Sequence, residues 1–383
     1  MGRQSRRKQL ARLQLSHLIC LMIISTPGMT KSWRRPEEDI PMKVGMLEDT
    51  YKVVVKEVGD LSPGPDELLI KTKYAGICGS DLHSFKGIHP FRKAPVVLGH
   101  ELSGTIAGVG KAVKGFCVGD RVTVMPLVAC KNCPQCERGN ENVCLNKTVP
   151  GIKGWQGTFA EYFLSRPSIT YKLGEDTGLE VGALAEPFAV GIHAVFERGR
   201  VEAGSRVLVL GAGTIGILTA VAAKMSGAKE IVVTDLFDFN LNLTRELCGA
   251  QVFNARTDGL EEILLKEYPQ KFDVTFLCSG SPKTVTQAFQ LTRRRGRIVV
   301  TGLVLTPVPI DLTAISLNEW EIIGSQVYGH QDFKKALECI DAGTFDLRKL
   351  ITHILPMERV DYAMNLLDQH KEDAVKILLE VDR

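Results

Sequence analysis

The apolar positions of this chain change their spacing partway along it. Between Lys52 and Val124 they come in short, β-branched runs broken by glycine and proline. Lys52-Val-Val-Val-Lys-Glu-Val58 and Glu67-Leu-Leu-Ile-Lys-Thr-Lys-Tyr74 read as strands, with Ser62-Pro-Gly-Pro65 as the turn between them. Glycines at 104, 108, 110, 115 and 119 punctuate further short runs, such as Arg121-Val-Thr-Val124. Such a pattern predicts a small antiparallel barrel or sandwich whose loops carry the functional groups. From Ser205 onward the apolar runs no longer alternate. Val207–Leu210, Ile231-Val-Val-Thr234, Phe272–Cys278 and Gly296–Gly302 are separated by helix-like stretches, the first at Ile217–Ser226. Unbroken apolar runs suit strands buried on both faces of a parallel sheet, so this part predicts an α/β doubly wound sheet.

The 383 residues are long for one hydrophobic core, in keeping with two domains. Charge is unevenly placed. The first 41 residues carry eight Lys/Arg and three acids, the other 342 carry 39 and 41, so the body is nearly neutral. That balance argues against nucleic-acid binding. Residues 1–36 hold no acid, and a basic start precedes the apolar run Leu18–Ile24, which is too short to span a membrane. We read 1–41 as an extension outside the fold, with the working start at Met42. A weak signal peptide or an Arg-rich organellar transit segment is the alternative. Cytoplasmic placement is expected, with organellar targeting by 1–41 left open.

Of ten cysteines, four crowd together as Cys130-x2-Cys133-x2-Cys136-x7-Cys144. In a chain of this size the clustering favours metal ligation in a reducing compartment over disulfides. Four thiolates so close can close a tetrahedral zinc site of the structural kind. Ferredoxin-type clusters place the fourth cysteine three residues on and follow it with proline; here the gap is seven and Leu145 follows, which favours zinc.

A second donor set lies in two Gly-marked loops, Gly76-Ile-Cys-Gly-Ser-Asp-Leu-His83 and Leu98-Gly-His-Glu101. Cys78, His100 and Glu101 offer the three side-chain types that bind zinc, and three ligands with one open position make a catalytic site. Ser80 and His83, between them, can pass a proton. Taken singly, a cysteine or histidine more often packs in a core than binds a metal.

At 205–216 the chain reads Ser-Arg-Val-Leu-Val-Leu-Gly-Ala-Gly-Thr-Ile-Gly. The glycines Gly211, Gly213 and Gly216 follow a strand and open a helix, and Asp235 ends the next strand. That context turns a weak G-x-G-x-x-G into a dinucleotide fingerprint. The glycines allow close approach of a pyrophosphate at a helix N-terminus, and Asp235 would accept from the ribose hydroxyls. A helix N-cap is the compatible alternative for Asp235. Leu236, Phe237 and Asp238 supply no cation for a 2′-phosphate, so NAD is expected over NADP.

With both halves in view, residues 42–383 resemble the zinc-dependent medium-chain alcohol/polyol dehydrogenases. Gly99-His-Glu-Leu-Ser-Gly104 is similar to that family's zinc signature, and the cysteine lobe and fingerprint follow in the family's order. The resemblance implies a GroES-like β-barrel catalytic domain at 42–189, a Rossmann domain at 190–325 and a C-terminal return at 326–383. It implies two Zn2+ per chain. Cys78, His100, Glu101 and Glu186 would serve the catalytic ion, with Glu186 direct or through water; Cys130, Cys133, Cys136 and Cys144 would serve the structural ion. Helix N-terminal charge complementation before Pro187 is the other reading of Glu186. Gly211, Gly213, Ile215, Gly216, Asp235, Gly302 and Leu303 would contact NAD.

Two positions depart from the polyol branch. Ser84 stands where a tyrosine often follows the histidine, and Val327 in Gly324-Ser-Gln-Val-Tyr328 replaces an arginine. The substrate therefore stays open among polyols, other alcohols and threonine-like amino alcohols. The implied reaction is reversible oxidation of a secondary alcohol to a ketone, with Ser80 taking the hydroxyl proton, His83 relaying it outward and Glu186 beside them. A homotetramer or homodimer is expected, with no membrane partner. A metal-free binding protein on the same fold would lack Cys78, His100 or the four cysteines, and this chain has them all.

Overall fold

The computed structural model describes residues 42–59, 61–370 and 373–382; the extension at 1–41 lies outside them. The first half contains β1 (Met42–Asp49), β2 (Lys52–Val58), β3 (Leu68–Gly76), α1 (Gly79–Phe85), β4 (Val96–Val97), β5 (Glu101–Val109), β6 (Arg121–Val124), β7 (Tyr162–Ser165), β8 (Thr170–Lys172) and α2 (Ala185–Ile192). The second half runs β9 (Arg206–Leu210), α3 (Thr214–Met225), β10 (Glu230–Asp235), α4 (Asp238–Cys248), β11 (Gln251–Asn254), α5 (Leu260–Glu267), β12 (Phe272–Leu277), α6 (Pro282–Leu291), β13 (Thr292–Val300), α7 (Leu312–Asn318) and β14 (Glu321–Gly324). The chain ends with α8 (His330–Asp341), β15 (Ile351–Pro356), α9 (Val360–Gln369) and β16 (Lys376–Glu380).

Strands β9 to β14 form one parallel sheet in the order β11-β10-β9-β12-β13-β14. The order reverses between β9 and β12, which opens a crevice at their carboxyl ends. Val207, Leu208, Val209 and Leu210 of β9 are all fully buried, as the unbroken apolar run predicts. Helix α3 begins at Thr214, three residues before the helix-like stretch read from the sequence, because the fingerprint glycines belong to its entry turn. Gly211 sits at φ +107, and a Cβ on Gly216 would lie 1.8 Å from the Gly211 carbonyl oxygen. Neither position admits a side chain. Strand β13 also begins early, at Thr292. Thr292 pairs with Phe272, and the register then shifts so that Arg297 pairs with Val274. The arginines that hid this strand lie in the irregular segment.

The first half supplies a sheet ordered β15-β16-β3-β5-β6-β8, with β7 also paired to β3, and a smaller sheet ordered β2-β1-β4. The last two strands of the chain thus join a sheet begun at Leu68. Helix α2 packs against both α3 and α8, linking the halves through a buried apolar face that includes Phe188, Ala189 and Ile192. Among the described residues no helix is long and apolar enough to cross a membrane.

Candidate active site and metal centres

Strand order brings the mixed donor set of Cys78, His100 and Glu101 together. Gly76 at the end of β3 pairs with Glu101 at the start of β5, and Leu378 of β16 pairs with Gly76 from the other side. A Cβ on Gly76 would lie 1.9 Å from Glu101 Oε2, so only glycine leaves room for this carboxylate. The ligand atoms of Cys78, His100 and Glu101 all lie within 4.8 Å of one another. A thiolate, an imidazole and a carboxylate so grouped fit a zinc ion.

Lys376 completes the picture from β16. Its Nζ donates at 2.9 Å to both carboxylate oxygens of Glu101 and at 2.9 Å to the Ile77 carbonyl. Burial opposes the ammonium charge, but Glu101 and Cys78 overrule it and raise the Lys376 pKa. Glu101 therefore has a permanent cation on hand as well as the metal position.

Asp81, which the sequence reading passed over, organises the loop around His100. It is fully buried. It accepts from Cys78 N at 3.1 Å, Gly99 N at 3.2 Å and Arg92 Nη1 at 3.2 Å. His100 Nδ1 lies 3.5 Å from its Oδ1. Burial alone would raise the Asp81 pKa; His100, Arg92 and the Cys78 N–H override it and hold the carboxyl down at about 2. Its placement, third residue of the helix that Cys78 caps, was the signal available in the sequence. A carboxylate behind a metal-binding imidazole fixes tautomer and ring orientation.

Arg92 Nη2 donates to Ser80 Oγ at 3.3 Å. His83 is half-buried with Nδ1 unpartnered in the described structure, and burial, then Lys86, lowers its pKa. Glu186, at the start of α2, is buried and accepts from Tyr328 Oη at 2.7 Å. Burial, reinforced by Glu101 and opposed by His100 and Tyr328, pushes the Glu186 carboxyl up to about 7. Ser84 is buried inside α1 and donates to the Ser80 carbonyl at 3.4 Å, so it turns into the helix.

The four-cysteine lobe fits zinc by distance. Sulfur separations are 3.4 Å for Cys130–Cys144, 3.6 Å for Cys133–Cys136, 3.9 Å for Cys133–Cys144 and 4.0 Å for Cys130–Cys136. A tetrahedron of sulfurs at the usual Zn–S length has edges of about 3.8 Å. Among these thiols, the N–H groups of Leu145 and Cys136 lower Cys133 to about 6, while burial and the neighbouring thiols push Cys136 up to about 12.

Both halves open onto one cleft of about 490 Å³. Cys78, Glu101 and Lys376 line one wall; Gly211, Gly213, Ile215 and Asp235 line the other. A Cβ on Gly213 would meet no protein atom, so this cradle has the room a pyrophosphate needs. Asp235 accepts from Ala212 N at 2.6 Å and Phe237 N at 3.0 Å, which ties the fingerprint to the second strand. Ser80, His83, His100, Glu186, Gly302 and Leu303 are not among the residues that line the cleft; Gly302 and Leu303 follow the end of β13. The sequence neighbours of Asp235 carry no cation, yet folding brings one: Arg256 donates to the Leu236 carbonyl and lies 5.3 Å over the Phe237 ring. The absence of a cation there holds for the local sequence and not for the folded site.

A parallel six-stranded nucleotide sheet, an antiparallel sheet bearing a mixed zinc set and a separate four-thiolate lobe together define a zinc-dependent dehydrogenase. Comparison with known proteins agrees. The alcohol dehydrogenase GroES-like domain family matches residues 64–175, and the zinc-binding dehydrogenase family matches 214–342. Sorbitol dehydrogenase of Bacillus subtilis is 32% identical, covering 89% of this chain and 98% of the relative. A zinc-binding dehydrogenase from Sinorhizobium meliloti 1021 bound to NADP superposes with TM-score 0.83 at 30% identity, covering 89% of this chain and 100% of that one. An alcohol dehydrogenase from E. coli CFT073 complexed with NADH gives 0.82 at 29% identity, covering 89% and 99%. The chain belongs to the zinc-dependent medium-chain alcohol/polyol dehydrogenase family. It is an oxidoreductase acting on CH–OH donors, with zinc and a nicotinamide cofactor.

Proposed function

We propose that this chain is an NAD-dependent polyol dehydrogenase carrying two zinc ions, which oxidises a secondary alcohol to a ketone reversibly. The observation that carries the reading is the shared cleft, with Cys78 and Glu101 on one wall and Gly211, Gly213 and Asp235 on the other. Cys78, His100 and Glu101, with Glu186 nearby, would hold the catalytic ion; the four cysteines would hold the structural one. When bound, the catalytic ion supplies Lewis acidity, which makes a hydroxyl proton available near neutral pH.

The chain's own groups do the rest. Asp81 orients His100 through Nδ1. Ser80 takes the proton, with Arg92 fixing its hydroxyl oxygen, and His83 passes it outward. A lowered His83 pKa suits a neutral relay group. Gly211–Gly216 seat the pyrophosphate, and Asp235 takes the ribose hydroxyls with the help of Ile215, Gly302 and Leu303. Residues 42–189 with 326–383 form the catalytic domain and 190–325 the nucleotide domain. The four clustered thiols, free of disulfides among themselves, suit a metal site in a reducing compartment such as the cytoplasm. Assembly as a homodimer or homotetramer follows from family likeness.

The test is NAD reduction by purified protein over polyols, inositols, simple alcohols and threonine. Polyols with a secondary hydroxyl should give the highest kcat/KM, and Ser80→Ala should lower it about 10²–10⁴-fold with zinc content unchanged. Preference for primary alcohols or threonine would overturn the substrate class. A Ser80→Ala enzyme as fast as wild type would remove Ser80 from the proton path.

A further inference from the structure

The four-thiolate lobe is physically joined to the carboxylate of Glu186. Asn142 lies inside the lobe, in the turn Glu141–Val143 just before Cys144. Its Nδ2 donates to the Gln326 carbonyl at 2.9 Å and lies 3.5 Å from His193 Nε2. His193 Nδ1 in turn lies 2.9 Å from Asp332 Oδ2, which also accepts from Gly329 N at 2.8 Å. A carboxylate accepts, so Nδ1 carries a proton toward Asp332, and in the neutral tautomer Nε2 faces the Asn142 amide as an acceptor. The Asn142 amide nitrogen thus has two partners, the Gln326 carbonyl at 2.9 Å and the His193 imidazole at 3.5 Å.

What the amide grips is a strained segment. Val327, next to Gln326, sits at φ +51. For a β-branched residue that conformation is an outlier that persists only where the surroundings enforce it. The following residue, Tyr328, is fully buried, and its hydroxyl donates to Glu186 Oε1 at 2.7 Å.

We propose that Asn142 is a positioning residue which, by clamping the Gln326 carbonyl, holds Val327 in the left-handed conformation and so aims the Tyr328 hydroxyl at Glu186. The lobe metal then supports turnover as well as folding, because it fixes the turn that carries Asn142. This inference rests on the reading that places Glu186 beside the reacting centre.

The test uses the zinc-loaded full chain, with metal content measured for every variant. Asn142→Ala should lower kcat about ten-fold, because a 1 Å misplacement remote from the chemistry can cost about 10²-fold and a partial shift less. The KM for the cofactor should not move. In a Val327→Gly background, where glycine adopts the positive φ unaided, Asn142→Ala should cost less than two-fold in kcat. Tyr328→Phe leaves the lobe untouched and should lower kcat as Asn142→Ala does, and the double variant should be no worse than Tyr328→Phe. Wild-type kcat in Asn142→Ala, or in Tyr328→Phe, would overturn the coupling. So would an equal loss on Asn142→Ala in the two Val327 backgrounds. Glu186→Gln separates the two readings. If it is impaired while Asn142→Ala is not, only the coupling fails; if it turns over like wild type, the placement of Glu186 fails and takes the coupling with it.

Discussion

Lys376 and Glu101 form an ion pair with 1% and 0% of their side chains exposed, the ammonium 2.9 Å from the carboxylate. Breaking such a pair from one side leaves a buried charge and costs about 3–5 kcal/mol. Lys376→Met should therefore destabilise the metal-free protein by about that amount. Zinc offers Glu101 a second counter-charge, so the loaded protein should lose less than half as much. Melting curves with and without a chelator check this. Equal losses in the two states would mean that Glu101 does not face the metal.

Asp81→Asn should weaken the catalytic metal about 10–100-fold, the usual cost of removing the carboxylate behind a ligating histidine. The four-thiolate site should keep its affinity. Competition with a chromophoric chelator resolves two zinc ions per wild-type chain and only one tightly held in the variant. A single zinc in fully loaded wild type would contradict the two-site reading.

The two metal centres should fail differently. Cys133→Ser opens the closed set, whose binding energy is folding energy, and should lower the melting temperature. His100→Ala should leave a folded protein that still quenches on binding NAD but turns over little. The reverse pattern would exchange the structural and catalytic assignments.

On the proposed reading, cofactor choice is a balance of two opposed charges, Asp235 and Arg256. Asp235 would take the ribose hydroxyls, and there it would repel a 2′-phosphate by roughly 4 kcal/mol at 4 Å and an effective dielectric near 20, less once solvent screens it. Arg256, over the Phe237 ring two residues from Asp235, is the cation that would offset part of that. Wild type should prefer NAD by about 30-fold, or 2 kcal/mol. Asp235→Ser should lose most of the preference by weakening NAD, and Arg256→Ala should sharpen it by weakening NADP. The ratio of kcat/KM with each cofactor is the measurement. A wild type that prefers NADP would show that Arg256 dominates.

Much of the molecule was legible in the chain because its signals are local. The cysteine spacing at 130–144, the glycines at 211–216 and the alternation of apolar runs with helices each act within a few residues of themselves. Covalent proximity sets their geometry, so spacing alone names the chemistry. Asp81 was missed: only the helix over Gly79–Phe85, capped by Cys78, shows it as an N-terminal side chain behind His100. Lys376 was half legible: a lone cation in the apolar run Val375–Leu379 must find a partner, but the run does not say which.

Only the tertiary structure could name those partners. Lys376 meets Glu101 across 275 residues, Tyr328 meets Glu186 across 142, and Asn142 meets Gln326 across 184. Hydrophobic periodicity encodes which face is buried, not what lies against it. The choice of partner is made when β16 docks beside β3, when α8 packs on α2 and when the cysteine lobe closes. The sequence by itself determined the two kinds of metal set and the nucleotide strand. The folded sheets decided that one metal set and the nucleotide strand share a cleft, and which charges pair along its wall.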